Sequence, residues 1–312
     1  MKLVRLLAVA ILVCSAGAAQ AVTPYTIVAI PDTQNQQGRI GAMTQWIANN
    51  HDAQNIVFAT HEGDITSSGG SQLVAAATAM YKLDGHIPWG TVPGNHDYYG
   101  IAQYDTYFGP SHFAGQSWYG GSYEQSSWQT FQGGGRTFMS LEIQNGAPSD
   151  VLTWAQGVIN AHLLPTIITT HDYMSDGTSA RTGTGDSIWN NLVKSNNQIF
   201  MVLCGHVHAN DGEYNQTSTN NVGQPVFEML ADYQSRVSGG NGLMRLVTLD
   251  EGANLIRVKT YSPTANLWET DADSQFNLSM DFDTRLVPEP ATLLLLGISA
   301  MLLLKRRRKP TA

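Results

Sequence analysis

Carboxylate, amide and imidazole side chains follow five separate apolar runs of this sequence. The motifs that carry them read PDTQ, HEGD, PGNHD, HDY and GHVH, and each comes directly after a run of apolar residues. Oxygen and imidazole ligands in such a mixed set suit divalent Mn, Fe, Zn or Mg. Seven ligands are too many for one tetrahedral ion but fit two metals that share a carboxylate, roughly 3.5–4 Å apart. The candidate ligands are Asp32, Gln34, Asp64, Asn95, His171, His206 and His208.

The spacing inside the motifs suggests which role each of these side chains would have. His206 and His208 point the same way on a strand-like or turning segment, so each can serve one metal. Asp64 is the natural bridge because a carboxylate has two oxygens to share. His96 is a candidate for acid–base chemistry, since imidazole titrates near neutral pH. Asp97 is predicted either to orient that imidazole or to cap the following turn.

The apolar runs that precede the motifs are typical of buried strands. They read YTIVAI, NIVFAT, IPWGTV, PTIITT and QIFMVLC, and longer amphipathic segments lie between them. This alternation predicts an α/β fold, in which ligands gather at the carboxyl ends of the strands. Helices are expected over residues 40–50, 72–83, 151–161 and 186–194.

Two stretches break this alternation. Residues 98–136 are rich in Tyr, Trp, Phe and Gly. They could form a lid that stacks a nucleobase or a sugar over the metals, or a loop that packs its own aromatic side chains against the sheets. We favour the packing interpretation, given how loops behave. Residues 210–224 are predicted to be a polar loop.

The two ends of the chain differ from its middle. Residues 1–21 begin with a positive charge, continue with a short apolar stretch and end in small residues, which is the order of a secretory signal peptide. A permanent anchor is the weaker interpretation because the apolar stretch is short. Near the other end, a 14-residue apolar stretch from Ala291 to Leu304 precedes five basic residues. This is less than the roughly 20 that cross a bilayer comfortably, although a basic end suits the cytoplasmic side of a membrane better than the end of a core helix.

Without these ends the protein is strongly acidic. The whole chain has 17 Lys+Arg and 25 Asp+Glu; the signal peptide holds two of the basic residues and the tail five, which leaves 10 against 25, a net charge near −15. A nucleic acid polymer is therefore not expected as a partner, since polyanion binding needs a basic surface. Only Cys204 remains after residue 21, so no internal disulfide is expected.

The motifs D-x-Q, GD, GNHD, a lone His after a strand and GHVH, in this order, resemble the calcineurin-like metallophosphoesterases. The resemblance runs from about Tyr25 to Asp283, and the PDTQ form of the first motif is similar to exported bacterial members. It implies a four-layer αββα sandwich with two facing mixed β-sheets flanked by helices. It also implies that the first metal would bind Asp32, Gln34, Asp64 and His208, and the second Asp64, Asn95, His171 and His206, with His96 beside the metals as a non-ligand.

The sequence departs from the family pattern in two places. Many members have His where Gln34 stands, and the neutral carbonyl oxygen of Gln shifts the expected metal preference away from zinc toward Mn, Fe or Mg. The segment ITSSG after GD lacks the second Asp and the Arg of the protein-phosphatase branch, so protein phosphatase activity is disfavoured.

These features predict an exported enzyme that uses two divalent metal ions to hydrolyse a small phosphomonoester or phosphodiester. In the implied mechanism the metals neutralise the phosphate oxygens and lower the pKa of a bridging water, so that hydroxide is present near neutral pH. The alternative is a catalytically silent protein that keeps the fold for binding or scaffolding in the cell envelope or extracellular matrix. The retained ligands and His96 favour the enzyme.

The C-terminus carries a second resemblance. The tetrapeptide Val287-Pro288-Glu289-Pro290, the short hydrophobic segment and the basic cluster are similar to a PEP-CTERM sorting signal. This implies a Gram-negative bacterium, processing by an exosortase, transient anchoring in the inner membrane, and a final location in the periplasm, outer envelope or exterior. The expected division is a signal peptide over 1–21, a phosphoesterase domain over 22–285 and a sorting tail over 286–312.

Overall fold

Two seven-stranded β-sheets lie face to face, and helices cover the outer face of each. The computed structural model describes residues 22–34, 37–177 and 181–286. The predicted four-layer order of helix, sheet, sheet and helix is confirmed. The predicted signal peptide and the tail from residue 287 onward lie outside the described residues.

The first sheet is mixed. Its strands, in spatial order, are β13 (Leu267–Glu269), β12 (Leu255–Ser262), β11 (Met244–Asp250), β1 (Tyr25–Ile30), β2 (Ile56–His61) and β3 (Trp89–Thr91), with β14 (Gln275–Ser279) also paired to β12. The three strands β1, β2 and β3 run parallel, whereas β11 runs antiparallel to β1. The parallel strands therefore end at the same edge.

The second sheet has the same mixed character. Its strands, in spatial order, are β4 (Tyr119–Tyr123), β5 (Ser126–Gly133), β6 (Arg136–Ile143), β7 (Thr166–Thr170), β8 (Ile199–Cys204), β10 (Pro225–Ala231) and β9 (Glu213–Thr219). The strands β6, β7, β8 and β10 run parallel, and antiparallel strands flank them on both sides.

The helices are shared between the two outer faces. Helices α1 (Gln37–Asn50), α2 (Ser71–Met80), α3 (Ile101–Phe108) and α4 (Pro110–Phe113) pack on the first sheet, α5 (Ser149–Ala161) and α6 (Gly183–Asn191) pack on the second, and α7 (Phe282–Arg285) closes the described chain. Both α2 and α6 give way to short 3-10 turns where longer helices were predicted. Within the described part of the chain, no helix has the length and apolarity needed to span a membrane.

The strands are apolar on both faces because both faces are buried. In β1, Tyr25 and Ile27 point into the layer between the sheets, while Val28 and Ile30 pack against the helices. Burial on both sides is what turns each strand into a continuous apolar run rather than an alternating one. This explains why the sequence identifies these strands so readily.

The two irregular stretches both contain regular structure. The prediction of a polar loop over residues 210–224 is wrong, because β9 lies within it as an edge strand paired to β10 alone, and edge strands tolerate polar side chains. Residues 98–136 form α3, α4, β4 and β5. Their aromatic side chains Tyr104, Phe108 and Phe113 are buried against the first sheet, as the favoured packing interpretation requires.

A buried carboxyl group between the sheets makes stability depend on pH. Glu142 on β6 accepts hydrogen bonds from Thr60 and Ser140, yet burial raises its pKa from 4.5 to about 7. The unfolded chain loses this proton at lower pH than the folded protein, so stability falls as pH rises from 4.5 through 7. We expect Glu142→Gln to stabilise the protein at pH 8.5 by about 1–3 kcal/mol, and progressively less toward pH 4.5.

Chemical denaturation of both proteins at pH 8.5 and pH 5 measures this difference. The control is Glu124→Gln in the exposed turn between β4 and β5, where no pH-dependent gain is expected. Equal unfolding free energies for wild type and Glu142→Gln at pH 8.5 would contradict the expectation.

Candidate metal centre

The predicted ligands converge where the parallel strands of the two sheets end. Loops after β1, β2 and β3 deliver Asp32, Gln34, Asp64 and Asn95, and loops after β7 and β8 deliver His171, His206 and His208. The sheets approach each other at this end, so residues almost 180 positions apart in sequence come into one cluster. Such an edge is where open α/β sheets bind ligands.

Asp64 lies at the centre of this cluster. Its Oδ1 accepts a 2.7 Å hydrogen bond from the backbone N–H of His96, and its Oδ2 lies 3.3 Å from both Gln34 Nε2 and His171 Nε2. The ligand atoms of Asp64, His171 and His206 all lie within 4.8 Å of one another. One carboxylate therefore contacts residues from both halves of the predicted ligand set.

The tautomer of His171 is fixed by its surroundings. Nδ1 donates to the backbone carbonyl of Glu62 at 2.9 Å, which leaves Nε2 to face Asp64 and Asn95 Oδ1 at 3.3 and 3.1 Å. Burial alone would lower the pKa of His171, but the hydrogen bond and charge of Asp64 raise it. A proton on Nε2 thus occupies the position in which a cation would be bound by the imidazole and the two oxygens.

Asp32 and Gln34 form a compact turn after β1. The backbone N–H and the side-chain amide of Gln34 donate to the two oxygens of Asp32 at 2.9 and 3.2 Å. Burial, together with the negative charges of Asp232 and Asp64, raises the pKa of Asp32 well above its usual range. This excess of buried negative charge is what divalent cations would neutralise.

The two histidines after β8 differ in their environment. The ring of His206 lies 4.8 Å from that of His171, and burial together with the positive charge of His171 lowers its pKa, which favours the neutral form that ligates metals. His208 is exposed, and its Nδ1 lies 2.6 Å from Ser235 Oγ. The Nε2 atom of His208 is then the nitrogen left for a ligand.

The backbone is strained at two of the predicted ligands. Asp64 and His206 have φ angles of 49° and 70°, in the left-handed region that side chains other than glycine rarely adopt. Strain of this kind costs about 1–3 kcal/mol per residue and concentrates at functional sites. Gly63 has φ 94°, and a Cβ there would lie 2.7 Å from the His171 ring, so only glycine lets the two loops approach this closely.

His96 and Asp97 lie beside the cluster in different roles. His96 Nδ1 donates to the carbonyl of Ser67 at 3.1 Å, which leaves its Nε2 available. The carboxylate of Asp97 accepts hydrogen bonds from the backbone N–H groups of Ile65, Thr66 and Gly94, each at 3.0 Å. The hypothesis that Asp97 orients His96 is therefore corrected: its oxygens join the GD loop to the GNHD loop.

Three further residues of the site were missed by the sequence analysis. Asp232, Gln234 and Ser235 follow β10, the fourth parallel strand of the second sheet. Gln234 Nε2 donates to Asp32 at 3.3 Å and to Asp232 at 3.1 Å. A signal was present, because DYQ after the mostly apolar run VFEMLA repeats the D-x-Q spacing that follows β1.

The donors in this cluster fit divalent metal ions. The carboxylates of Asp32 and Asp64, two amides and the imidazoles of His171 and His206 lie together, with His208 on the adjoining loop, and both carboxylates are buried. Mixed oxygen and nitrogen donors of this kind are those that Mn, Fe, Zn and Mg accept. The geometry supports metal binding without selecting among these ions.

Gly94 is expected to be indispensable for this arrangement. A Cβ at this position would lie 2.1 Å from Asp64 Oδ1 and 2.3 Å from Asp64 N, so Gly94→Ala must displace the central carboxylate. We expect at least a tenfold loss of Mn²⁺ affinity and about 1–3 kcal/mol lower stability from this overpacking. Metal titration and thermal unfolding measure both quantities.

Gly157→Ala on α5 is the matched control, since nothing lies within 4 Å of a Cβ there. That change should leave metal binding intact and stabilise the helix slightly. Wild-type Mn²⁺ affinity in Gly94→Ala would contradict the steric argument.

Comparison with known protein families agrees with this geometry. The family described as calcineurin-like phosphoesterase matches residues 25–210, and the PEP-CTERM protein-sorting motif matches residues 286–309. The first match ends before β9, although both sheets are completed by later strands. The second match shows a sorting motif at the C-terminus.

One curated relative is the uncharacterized protein YvnB of Bacillus subtilis (strain 168). It is 30% identical over 285 residues, an alignment that covers 84% of this chain and 22% of YvnB. The chain thus spans about a fifth of the length of this relative.

Solved structures share the fold at low sequence identity. They include the purple acid phosphatase PPD1 of yellow lupin (Lupinus luteus; TM-score 0.56, 13% identity, 84% of this chain and 55% of that chain) and a dimetal phosphatase of Danio rerio (TM-score 0.53, 12% identity, 83% and 99%). GAP50, the anchor in the inner membrane complex of Plasmodium, is also similar (TM-score 0.52, 11% identity, 82% and 89%). Because the family match covers more than half of the sequence and its fold and motifs are present, this chain belongs to the calcineurin-like phosphoesterase family.

Proposed function

We propose that this protein is a phosphoesterase that depends on two divalent metal ions and hydrolyses phosphomonoesters or phosphodiesters. The observation that carries the proposal is the position of Asp64, whose Oδ2 lies 3.3 Å from Gln34 of one half of the ligand set and 3.3 Å from His171 of the other. A carboxylate shared in this way is the usual bridge of two-metal hydrolytic sites.

The proposed ligands fall into two groups that meet at Asp64. One metal would be held by Asp32, Gln34, Asp64 and His208, and the other by Asp64, Asn95, His171 and His206. Such cations would act as Lewis acids toward the phosphate oxygens and the attacking water. The protein contributes the positions of the donors, the fixed tautomer of His171 and the neutral state of His206.

His96 is proposed to donate a proton to the leaving alkoxide. The carbonyl of Ser67 accepts the Nδ1 proton and so holds the ring in one orientation, with Nε2 free to carry the proton that is transferred. Its backbone N–H is bound to Asp64, which ties the acid to the centre of the site. Asp97 holds the GD loop and the GNHD loop together through hydrogen bonds to their backbone N–H groups.

A second candidate function is a scaffold without catalysis. It is favoured by the similarity to GAP50, described as an anchor, since a shared fold at 11% identity does not fix activity. The full set of candidate ligands and the available Nε2 of His96 support the enzyme instead. A scaffold has no need for either feature.

The PEP-CTERM motif supports export and processing by an exosortase-type enzyme in a Gram-negative cell envelope. We propose a signal peptide over 1–21, a phosphoesterase domain over 22–285 and a sorting tail over 286–312. Arg285, at the end of the described chain, binds backbone carbonyls at the first residues of β8 and β10. The described part of the chain therefore ends at the end of the sandwich opposite the metal centre.

The proposed activity is tested with p-nitrophenyl phosphate and bis(p-nitrophenyl) phosphate. Metal-free protein should hydrolyse neither ester, and added Mn²⁺ should restore hydrolysis of at least one of them. Mn²⁺ binding without hydrolysis of either ester would favour the scaffold. The ratio of the two rates assigns monoester or diester preference.

A further inference from the structure

The turn after β10 repeats the turn after β1. In each, a Gln two residues beyond an Asp donates its backbone N–H to one carboxylate oxygen and its side-chain amide to the other. The distances are 2.9 and 3.2 Å for Asp32 and Gln34, and 3.0 and 3.1 Å for Asp232 and Gln234. The two turns face each other, since Gln234 Nε2 also reaches Asp32 Oδ2 at 3.3 Å.

The residue after this second turn contacts the only exposed histidine among the predicted ligands. Ser235 Oγ lies 2.6 Å from Nδ1 of His208. An imidazole that ligates a metal through Nε2 carries its proton on Nδ1, and the partner of that proton sets the orientation of the ring. Ser235 and His208 are both exposed, so the hydrogen bond between them, rather than burial, holds the His208 ring in place.

The next residue fixes the segment to both sheets. The guanidinium of Arg236 binds Glu213 on β9 at 2.8 Å and Glu269 on β13 at 2.7 Å, and it lies over the ring of Tyr233. Glu213 also pairs with the buried Arg245 on β11 at 3.1 Å. Burial alone would raise the pKa of Glu213, but the charge of Arg245 and the hydrogen bond from Tyr233 lower it to about 2. The Glu213 carboxylate therefore stays ionised near neutral pH.

The segment then continues through an unusual backbone turn. The four residues 238–241 have φ angles between 53° and 71°, including Ser238 and Asn241, which are not glycine. Left-handed conformation costs roughly 1–2 kcal/mol for each such residue. A chain keeps it only where its neighbours determine the conformation, and here the turn leads directly from the second sheet back to β11 of the first.

From these contacts we infer that the segment from Asp232 to Arg236 is a positioning element, in which Ser235 orients His208 and Gln234 holds Asp32 for the first metal. The inference rests on the proposed two-metal site. Ser235 and Gln234 touch ligands rather than substrate, so they act through His208 and Asp32. Partners of metal ligands typically contribute 10–100-fold to metal affinity.

The test is titration of metal-free full-length protein with Mn²⁺, which resolves the affinities of two sites without reference to activity. We expect Ser235→Ala to weaken one site 10–100-fold and to leave the other unchanged. Ser235→Thr keeps the hydroxyl and should restore wild-type affinity. Ser187→Ala on α6, whose hydroxyl contacts Asn191 of the same helix, is the control and should bind as wild type does.

The outcomes separate this inference from the proposed function. Two Mn²⁺ bound with unchanged affinities in Ser235→Ala would overturn the positioning role and leave the proposed function intact. Equal weakening of both sites, or no recovery in Ser235→Thr, would also overturn it. A wild-type protein that binds no Mn²⁺ would overturn the proposed function and this inference together.

Discussion

Asp64→Asn is expected to lower kcat/KM for phosphoester hydrolysis by about 10³-fold. The change keeps the shape of the side chain but removes the charge that both proposed metals share. Loss of one metal removes several kcal/mol of transition-state stabilisation, and about 4 kcal/mol corresponds to three powers of ten in rate. Steady-state kinetics with saturating Mn²⁺, together with the metal content of the purified variant, measures the effect.

Asp250→Asn is the matched control for this variant. Asp250 ends β11 beside the start of β1, at the end of the sandwich opposite the site, where it pairs with Arg257 at 2.8 Å. Its replacement should change kcat/KM by less than about twofold, as expected for a partly exposed ion pair. Rates for Asp64→Asn within tenfold of wild type would be incompatible with a shared carboxylate.

His96→Ala is expected to keep both metals and to lose roughly 10²–10⁴-fold in turnover of an alkyl phosphoester. The loss should be much smaller for a p-nitrophenyl ester, because p-nitrophenolate leaves without a proton. In His96, Nδ1 is bound to the carbonyl of Ser67, which leaves Nε2 as the nitrogen that can donate the proton. The ratio of the loss for the alkyl ester to the loss for the p-nitrophenyl ester, measured on the same preparation, therefore reports proton donation rather than a general loss of active protein.

The control for this prediction is His51→Ala, at the residue directly after α1. The carbonyl of His51 binds the N–H of Ile56 at the start of β2, which places His51 at the opposite end of that strand from the metal centre. This variant should hydrolyse both esters at wild-type rates. Equal losses for the alkyl and p-nitrophenyl esters in His96→Ala would remove His96 from the proton transfer.

The sequence predicted the central strands well because burial shapes them directly. β1, β2, β7 and β8 lie within one residue of the expected runs, since strands covered on both faces must be apolar throughout. The edge strand β9 was missed for the opposite reason. Its side chains Tyr214, Gln216 and Ser218 are only half-buried, so the strand reads as a polar loop.

The site was predicted as far as its residues follow recognisable apolar runs. The rule that parallel strands end together brings His171 and His206 to one edge and Asp64 to the edge of the other sheet. That the two edges meet was implied by the family resemblance. Gln234 and Ser235 were not found, because the strand before them follows the misassigned polar stretch. The contact of Gln234 with Asp32 depends on how the two sheets pack, and that of Ser235 with His208 on the pairing of β10 with β8; periodicity along one chain reveals neither.

The role of Asp97 shows a different limit. The carboxylate of Asp97 next to the imidazole of His96 in sequence suggests a catalytic pair, but the two side chains have different partners. The oxygens of Asp97 point to the backbone of Ile65 and Thr66, where they hold the loop that carries Asp64. Only the three-dimensional hydrogen-bond pattern separates these two uses of the same residue.

The most direct test of the two-metal site is an anomalous-difference map from crystals of the protein grown with Mn²⁺. The account predicts two peaks roughly 3.5–4 Å apart, both in contact with the carboxylate of Asp64. One peak should also contact Asp32 and His208, and the other His171 and His206. A single peak, or two peaks that do not share Asp64, would contradict the account.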